Sequence, residues 1–365
     1  MRRYQPVLLA ILIAVSAFAP VAAGQSNGDA ESTVDCEFPL EVTDATGETI
    51  TLEEAPDSVV ALQPSDAQTV FEIGAEDRLV GMPDNPATSD LPLGDRTPVT
   101  DTYQLVPERV IDLDPDLVLA ANATDGQNVE QLRNAGLTVY HFDDAGSIDD
   151  VRDNVRTVGQ LTGECDGAEE TVDWMDEQLE IVDRTLEGED RPLAYYAMGD
   201  GYTAGAETFI HEVLTTGGVE NVAEREGIAS YGQINPETVV AENPDWIIYP
   251  DDRDEPPIHE TIEATTASQE GNVHAVNANH ISQPAPQVVY AIVDIVETVH
   301  PEAYEQASEE LEAADGGGTE AADEGDTGTA DGSDDDASGE SMPGFGVAAA
   351  LVALVAATGF VARRR

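Results

Sequence analysis

The chain has 365 residues, of which 74 are Asp or Glu, 15 are Arg and none is Lys, so its formal net charge is −59. A surface this acidic repels phosphate groups and argues against electrostatic binding to nucleic acid or to anionic membranes. The two cysteines do not form a Cys-x-x-Cys pair, which gives no support to a redox motif or to a cysteine-rich metal site.

The chain begins with the pattern of a secretory signal peptide. Two arginines precede an apolar run at residues 7–19, and small residues follow it. We therefore expect residues 1–23 to be removed after Ala23, and the mature protein to be exported. In an exported protein, an even pair of cysteines favours a disulfide bond between Cys36 and Cys165.

The next part of the chain predicts a first α/β lobe. Residues 24–57 form an N-terminal segment with a hairpin at residues 42–52. From residue 58 to residue 165, short apolar strands alternate with helices that end at glycine, which indicates βα units on a mainly parallel sheet. The predicted strands are 59–62, 79–81, 117–120 and 137–142, and the predicted helices are 67–73 and 128–135.

A fourteen-residue pattern occurs twice, at residues 107–120 and 236–249, with Pro, Glu, Val, Pro and Asp recurring in register. In each copy a helix that starts with Glu is broken by Pro-Asp and followed by an apolar strand. The two glutamates, Glu108 and Glu237, lie about 130 residues apart, which is too far for a solenoid repeat. The repeat therefore predicts two similar lobes with a cleft between them.

One long helix is predicted between the lobes. Residues 168–186 place apolar side chains at alternating spacings of four and three, without internal glycine or proline. We assign residues 166–188 to this inter-lobe helix. The second lobe, residues 189–304, repeats the alternation of strands and helices. Its predicted strands are 193–197, 246–249 and 273–276, and its predicted helices are 208–215 and 288–299.

The C-terminal part of the chain predicts a tether. Residues 305–341 are acidic and of low complexity, so we expect a solvated stalk that cannot form a core. Residues 342–365 contain Pro-Gly-Phe, an apolar stretch and three arginines, and resemble the sorting signal of archaeal surface proteins, whose tail is replaced by a lipid. A transmembrane helix is the alternative. Either anchor places the protein on the outer face of the cell membrane.

The acidic composition resembles the surfaces of proteins from halophilic archaea. Concentrated salt screens the self-repulsion of such a surface to within a few ångströms. Because carboxylates are so frequent in this chain, a single Asp or Glu carries little functional information on its own.

From residue 42 to residue 304, the chain resembles the class III substrate-binding proteins of ABC importers, in particular the cobalamin and ferric-siderophore binders. Residues 58–65 and 71–81 match the opening of that family, and residues 202–205 and 217–222 match the start of its second lobe. The resemblance implies two Rossmann-like α/β lobes joined by a single long helix, with the ligand cleft between them.

The resemblance also implies a role for the repeated glutamates. One Glu from each lobe docks into arginine pockets of the membrane permease, and Glu108 and Glu237 occupy the matching positions. The expected partners are therefore the permease and ATPase subunits of an ABC importer and a small-molecule ligand, with the binding protein acting as a monomer and binding no nucleic acid.

Six residues are predicted to contact the ligand. Tyr103 and Tyr231 precede the two copies of the repeat and would form aromatic walls for a flat conjugated ligand. Asn122 follows the strand after Glu108, and Tyr202 lies in the motif that opens the second lobe. Many relatives carry Arg after the last strand, where this chain has Gln283 and Gln287. Since Arg suits anionic chelates, the glutamines favour a neutral or zwitterionic ligand such as a corrinoid.

Several alternatives stay open at this point. A ferric siderophore or haem would fit the same fold, and a sensor that signals to a chemotaxis transducer would use the same cleft. A zinc or manganese binder would need converging His and carboxylates, for which only His141 and His280 are candidates. No hydrolase elbow, phosphate loop or His-Glu-x-x-His motif is present, so we expect no enzymatic activity, no cofactor and no metal site.

Overall fold

The structure of the protein is a computed structural model that describes residues 36–316. The predicted signal peptide at residues 1–23, most of the predicted stalk and the predicted sorting signal at residues 342–365 lie outside these residues. Within the described part, no helix is both long enough and apolar enough to cross a membrane.

Lobe 1 is a parallel sheet flanked by helices, preceded by an antiparallel hairpin. Its strands are β1 (Leu40–Thr43), β2 (Thr49–Leu52), β3 (Val59–Ala61), β4 (Leu79–Met82), β5 (Thr97–Pro98), β6 (Thr100–Asp101), β7 (Gln104–Leu105), β8 (Leu117–Ala120) and β9 (Val139–His141). Its helices are α1 (Pro64–Glu72), α2 (Pro107–Leu113), α3 (Gly126–Asn134) and α4 (Ile148–Thr162). The five-stranded sheet has the order β5–β4–β3–β8–β9, and every pair is parallel.

Helix α5 (Cys165–Thr185) connects the two lobes. Its predicted apolar face is buried, with Val172, Met175 and Val182 inaccessible to solvent, and each such side chain contributes about 1.5–3 kcal/mol by leaving water. One apolar cluster extends from the sheet of lobe 1 through this face into lobe 2. At Gly167 a Cβ atom would lie 2.0 Å from the carbonyl oxygen of Ile73, so glycine is what lets α5 approach the end of α1.

Lobe 2 repeats the architecture on a smaller sheet. Its strands are β10 (Leu193–Tyr196), β11 (Tyr202–Thr203), β12 (Glu220–Asn221), β13 (Gly232–Gln233), β14 (Trp246–Pro250) and β15 (Val273–Val276). Its helices are α6 (Phe209–Thr216), α7 (Val222–Arg225), α8 (Pro236–Glu242), α9 (Thr266–Glu270), α10 (Ala278–Ser282), α11 (Val288–Val299) and α12 (Pro301–Gly316). The sheet order β12–β10–β14–β15 is again parallel throughout. The predicted fold class, two α/β lobes joined by a long helix, is confirmed.

The repeated pattern has the same structure in both lobes. Helices α2 and α8 are seven residues long, start with proline and end at a residue in the left-handed conformation, Asp114 or Asn243. The Asp side chain of each Pro-Asp pair then accepts hydrogen bonds from the start of a neighbouring strand. Asp116 accepts hydrogen bonds from the backbone N–H and the hydroxyl of Ser58, and Asp245 accepts one from the N–H of Leu193. In each lobe the repeat therefore ends a short helix, fixes the start of a neighbouring strand by hydrogen bonds and exposes one glutamate.

The predicted stalk begins too early. Residues 305–316, assigned to it from composition, belong to helix α12, which starts with Pro301 at its first turn. Tyr304 packs against the main apolar cluster and Ala307 is buried. Proline is favoured in the first turn of a helix, and Pro301 starts α12 directly after α11.

Low salt is expected to destabilise this fold. With a net charge of −59, repulsion acts over a screening length of about 3 Å at 1 M salt but about 10 Å at 0.1 M. We expect the melting temperature of the purified protein to fall by more than about 5 °C between these salt concentrations, a change of about 2 kcal/mol for a domain of this size. Equal melting temperatures at the two salt concentrations would contradict the claim that charge repulsion destabilises the fold at low salt.

Candidate functional site

The carboxyl ends of the lobe 1 strands border a cavity of about 170 Å³. In parallel α/β sheets this edge is where ligands bind. The residues that line it come from the turn into α1, from the end of β8, from the end of β9, from α4 and from one loop of lobe 2. They include Ser65, Asp66, Thr69, Asn122, Asp143, Asp144, Asn154 and Pro284. No basic side chain lines this cavity among residues 36–316, and its polar groups are carboxylates, amides and hydroxyls beside apolar side chains such as Phe142 and Val158.

Lobe 2 presents a second and larger cavity, of about 980 Å³, at the carboxyl ends of β10 and β14. Its lining includes the loop at residues 198–201, the start of α8 and Arg253. The Arg253 guanidinium donates two hydrogen bonds to Asp252 and one to the carbonyl oxygen of Met198. Asp252 in turn has a lowered pKa, because it accepts these hydrogen bonds from Arg253. The Arg253 guanidinium of this wall is therefore already paired with an acidic neighbour.

Asp144 of lobe 1 lies near enough to Tyr231 of lobe 2 to affect its pKa. Burial raises the pKa of Tyr231, and the negative charge of Asp144 raises it further. Tyr196 at the end of β10 lies in the same region: burial raises its pKa, and Tyr231 and Asp252 add to the effect. Tyr196 is buried in the core of lobe 2, whereas Tyr231 is about half exposed and is the tyrosine available to a ligand.

Of the six predicted ligand residues, one lines a cavity and the other five do not. Asn122 lines the lobe 1 cavity, where its amide donates a 3.0 Å hydrogen bond to Asp144. Tyr202 lies on β11, paired with the strand that directly follows Tyr231, and is 45% exposed. Tyr103 lies at the turn of the β6–β7 hairpin, is 68% exposed and lines neither cavity. The ligand role of these residues stays a prediction.

Gln283 and Gln287 connect the lobes. The Gln283 amide donates to the carbonyl oxygen of Ala87 in lobe 1, and the Gln287 amide donates to the Glu72 carboxylate at 2.6 Å. The backbone N–H of Gln287 donates to Gln68. The donor groups of both side chains are therefore engaged within the protein, and a ligand contact by either residue stays a prediction.

The two repeated glutamates are exposed and occupy equivalent positions. Glu108 and Glu237 each follow the first proline of their helix, and neither forms an ion pair within the described residues. Their carboxylates are thus available to a partner. Docking to a permease stays a prediction.

Two further pairs from the sequence are placed by the structure. Cys36 and Cys165 form a disulfide bond with a Cα–Cα distance of 5.9 Å, which ties the N-terminal segment to the start of α5.

His280 lies beside Tyr290, with ring centroids 5.5 Å apart, and burial lowers its pKa. His141 ends β9. Among residues 36–316, no group of three or more His, Cys, Asp or Glu side chains could hold a metal ion.

Three residues that line the two cavities were not predicted from the sequence: Asp66, Asp144 and Arg253. Asp66 and Asp144 follow β3 and β9 closely, and the carboxyl ends of parallel strands are where such residues matter. Arg253 is the only Arg between residues 226 and 362. The sequence shows both positions, but with 74 acidic residues in the chain it does not distinguish these two aspartates from the others.

Comparison with known proteins gives two matches to described families. Residues 59–287 match the family described as "Periplasmic binding protein", and residues 342–365 match the PGF-CTERM motif. A protein named "Cobalamin-binding protein" from Halobacterium salinarum is 37% identical over 377 residues, with 98% of each chain covered. The Bacillus subtilis protein named "Uncharacterized ABC transporter substrate-binding lipoprotein YvrC" is 25% identical and covers 74% of this chain and 88% of its own length. The crystal structure of the haem-binding protein HmuT superimposes with a TM-score of 0.60, at 20% identity over 72% of this chain and 91% of that one.

Proposed function

The chain belongs to the periplasmic binding protein family, and from this premise we propose that it captures a corrinoid outside the cell and delivers it to the permease of an ABC importer. Membership makes it a substrate-binding protein, and the PGF-CTERM motif marks an exported protein anchored at the cell surface. The similarity to the Halobacterium protein named for cobalamin binding supports the ligand class.

The observation that carries the choice of ligand is the contrast between the two walls of the cleft. The lobe 1 cavity is bordered by carboxylates and amides and, among the described residues, by no basic side chain, and lobe 2 places Tyr231 near Asp144. A corrinoid is a flat conjugated ring whose rim carries primary amides. Its face suits contact with Tyr231, and its amide N–H groups suit acceptors such as Asp144. A ligand rich in carboxylates would be repelled by the same wall.

Haem or an anionic ferric chelate is the second candidate. Arg253 gives the larger cavity one cation, and that cavity is open enough for a macrocycle. Pairing of Arg253 with Asp252 weakens this alternative, because an anionic ligand would have to displace a carboxylate that already accepts two hydrogen bonds.

Delivery is tested by uptake in cells. We expect deletion of the gene to reduce accumulation of cyanocobalamin at limiting concentrations, and expression of the wild-type chain to restore it. Haem uptake in the same strains is the control. Unchanged cyanocobalamin accumulation in the deletion strain would contradict the proposed function.

The aromatic wall is tested by Tyr231→Ala. We expect its affinity for cyanocobalamin to fall by about tenfold, or about 1.4 kcal/mol, because a ring contact over the ligand face is lost. Tyr231→Phe retains the ring and is the matched control, with an affinity within about threefold of the wild-type value. Fluorescence titration in molar salt measures both. Equal affinities for Tyr231→Ala and the wild type would remove Tyr231 from the site.

A further inference from the structure

A cavity of about 420 Å³ lies where α1 of lobe 1 and α11 of lobe 2 meet the connecting helix α5. Its lining comes from the carboxyl end of α1, from one face of α5 and from Tyr290 of α11. It shares no lining residue with the two cavities at the strand ends. It is therefore a separate cavity, which the proposed function does not use.

Two aromatic side chains form one side of this cavity. Trp174 of α5 and Tyr290 of α11 have ring centroids 5.0 Å apart and ring planes inclined at 52° to each other. Tyr290 is 49% exposed, so its ring is accessible to a ligand. Rings placed in this way can both face one group in the cavity, at about 6 Å or less from each centroid, which is the range of a cation–π contact.

The other polar groups of the cavity favour positive charge. Glu72 and Glu170 line it, and the Glu72 carboxylate accepts a hydrogen bond from the Gln287 amide at 2.6 Å. Helix α1 ends here, and the carbonyl end of a helix carries partial negative charge. No basic side chain lines the cavity within the described part of the chain. His280, beside Tyr290, is uncharged at neutral pH because burial lowers its pKa.

The aromatic rings distinguish an organic cation from a metal ion. A metal ion needs several converging ligands, and in the part of the chain that the structure describes no group of three or more His, Cys, Asp or Glu side chains could hold one. Aromatic faces instead suit a cation whose charge is spread over apolar substituents. We propose that the cavity binds a quaternary ammonium cation against Trp174 and Tyr290, with Glu72 and Glu170 balancing its charge.

The test is titration of the purified protein with choline chloride, followed by tryptophan fluorescence in molar salt at constant total chloride. The chain has two tryptophans, and Trp174 lies in the cavity, so it reports occupancy. We expect a saturable change with choline, and none with the neutral isostere of choline in which carbon replaces nitrogen. No saturable response to choline, or an equal response to the isostere, would overturn the proposal.

Two aromatic variants locate the response. Tyr290→Leu removes one ring at an exposed position, and we expect the affinity for choline to fall about fivefold, whereas Tyr290→Phe keeps the ring and stays within about twofold of the wild type. Trp174→Phe is expected to abolish the fluorescence response. A response that persists in Trp174→Phe would come from Trp246, outside the cavity, and would contradict the assignment, as would an unchanged affinity of Tyr290→Leu.

The role of the charge is tested by Glu170→Gln, with Glu177→Gln as the matched control. Both glutamates are exposed on α5, but only Glu170 lines the cavity. We expect choline to bind Glu170→Gln about twofold more weakly, because molar salt weakens the attraction without removing it, and to bind Glu177→Gln like the wild type. Equal affinities of the two variants would remove Glu170 from the site. The titration uses no corrinoid, so its result is independent of which ligand the cleft receives.

Discussion

Replacement of both Glu108 and Glu237 by alanine is expected to abolish ligand uptake by cells while leaving the affinity of the purified protein for its ligand unchanged. Both carboxylates are exposed, occupy the same position in matched helices of the two lobes and line neither cavity. Truncating one partner of a hydrogen-bonded charge pair at an interface costs about 2–5 kcal/mol. Losing one contact on each lobe would leave docking to the permease too weak for transport.

The matched control for this variant is Glu130→Ala combined with Glu224→Ala. It also removes one exposed glutamate from each lobe, but from helices α3 and α7, which do not carry the repeat. We expect normal uptake and normal affinity for the control. Normal transport by the Glu108 and Glu237 double variant would show that the repeat has no docking function.

Removal of the disulfide bond is expected to have the largest effect on stability. The bond between Cys36 and Cys165 spans a sequence separation of 129 residues. Opening a loop of this size frees the unfolded chain and lowers the free energy of unfolding by about 4–5 kcal/mol in the chain-entropy model. We expect the combined Cys36→Ser and Cys165→Ser variant to unfold at a clearly lower guanidinium concentration in molar salt.

A reductant provides the control for this variant. Dithiothreitol is expected to shift the unfolding midpoint of the wild type toward that of the variant, and to leave the variant unchanged. The same midpoint for wild type and variant, without reductant, would mean that the bridge contributes nothing to stability.

Much of the fold could be predicted because its signals are local. Strands such as β8 and β14 are short apolar runs bounded by proline, and α5 has an uninterrupted apolar face. Helix α4 was left unassigned although its start carries a capping box formed by Ser147 and Asp150. Helix α12 was missed because its acidic composition is also that of a stalk, and only packing against the core distinguishes the two.

The site was harder to predict, since its contacts join distant parts of the chain. The repeat located the two exposed glutamates correctly on matched helices. The sequence could not show that Gln287 donates to Glu72, 215 residues away, or that the N–H of Ala121 holds Asp66 in place. Such pairs depend on how the lobes meet. Burial, which distinguishes Asp66 from the many acidic residues on the surface, is likewise a property of the folded chain.

The most direct test of the account is the affinity of the purified wild-type protein for three ligands, measured by calorimetry in molar salt. The ligands are cyanocobalamin, haem and a ferric trihydroxamate. An acidic lobe 1 cavity with Tyr231 of lobe 2 nearby predicts one-to-one binding that is tightest for cyanocobalamin. Tight binding of haem or of the ferric chelate, with no measurable binding of cyanocobalamin, would contradict the central claim that the cleft receives a corrinoid.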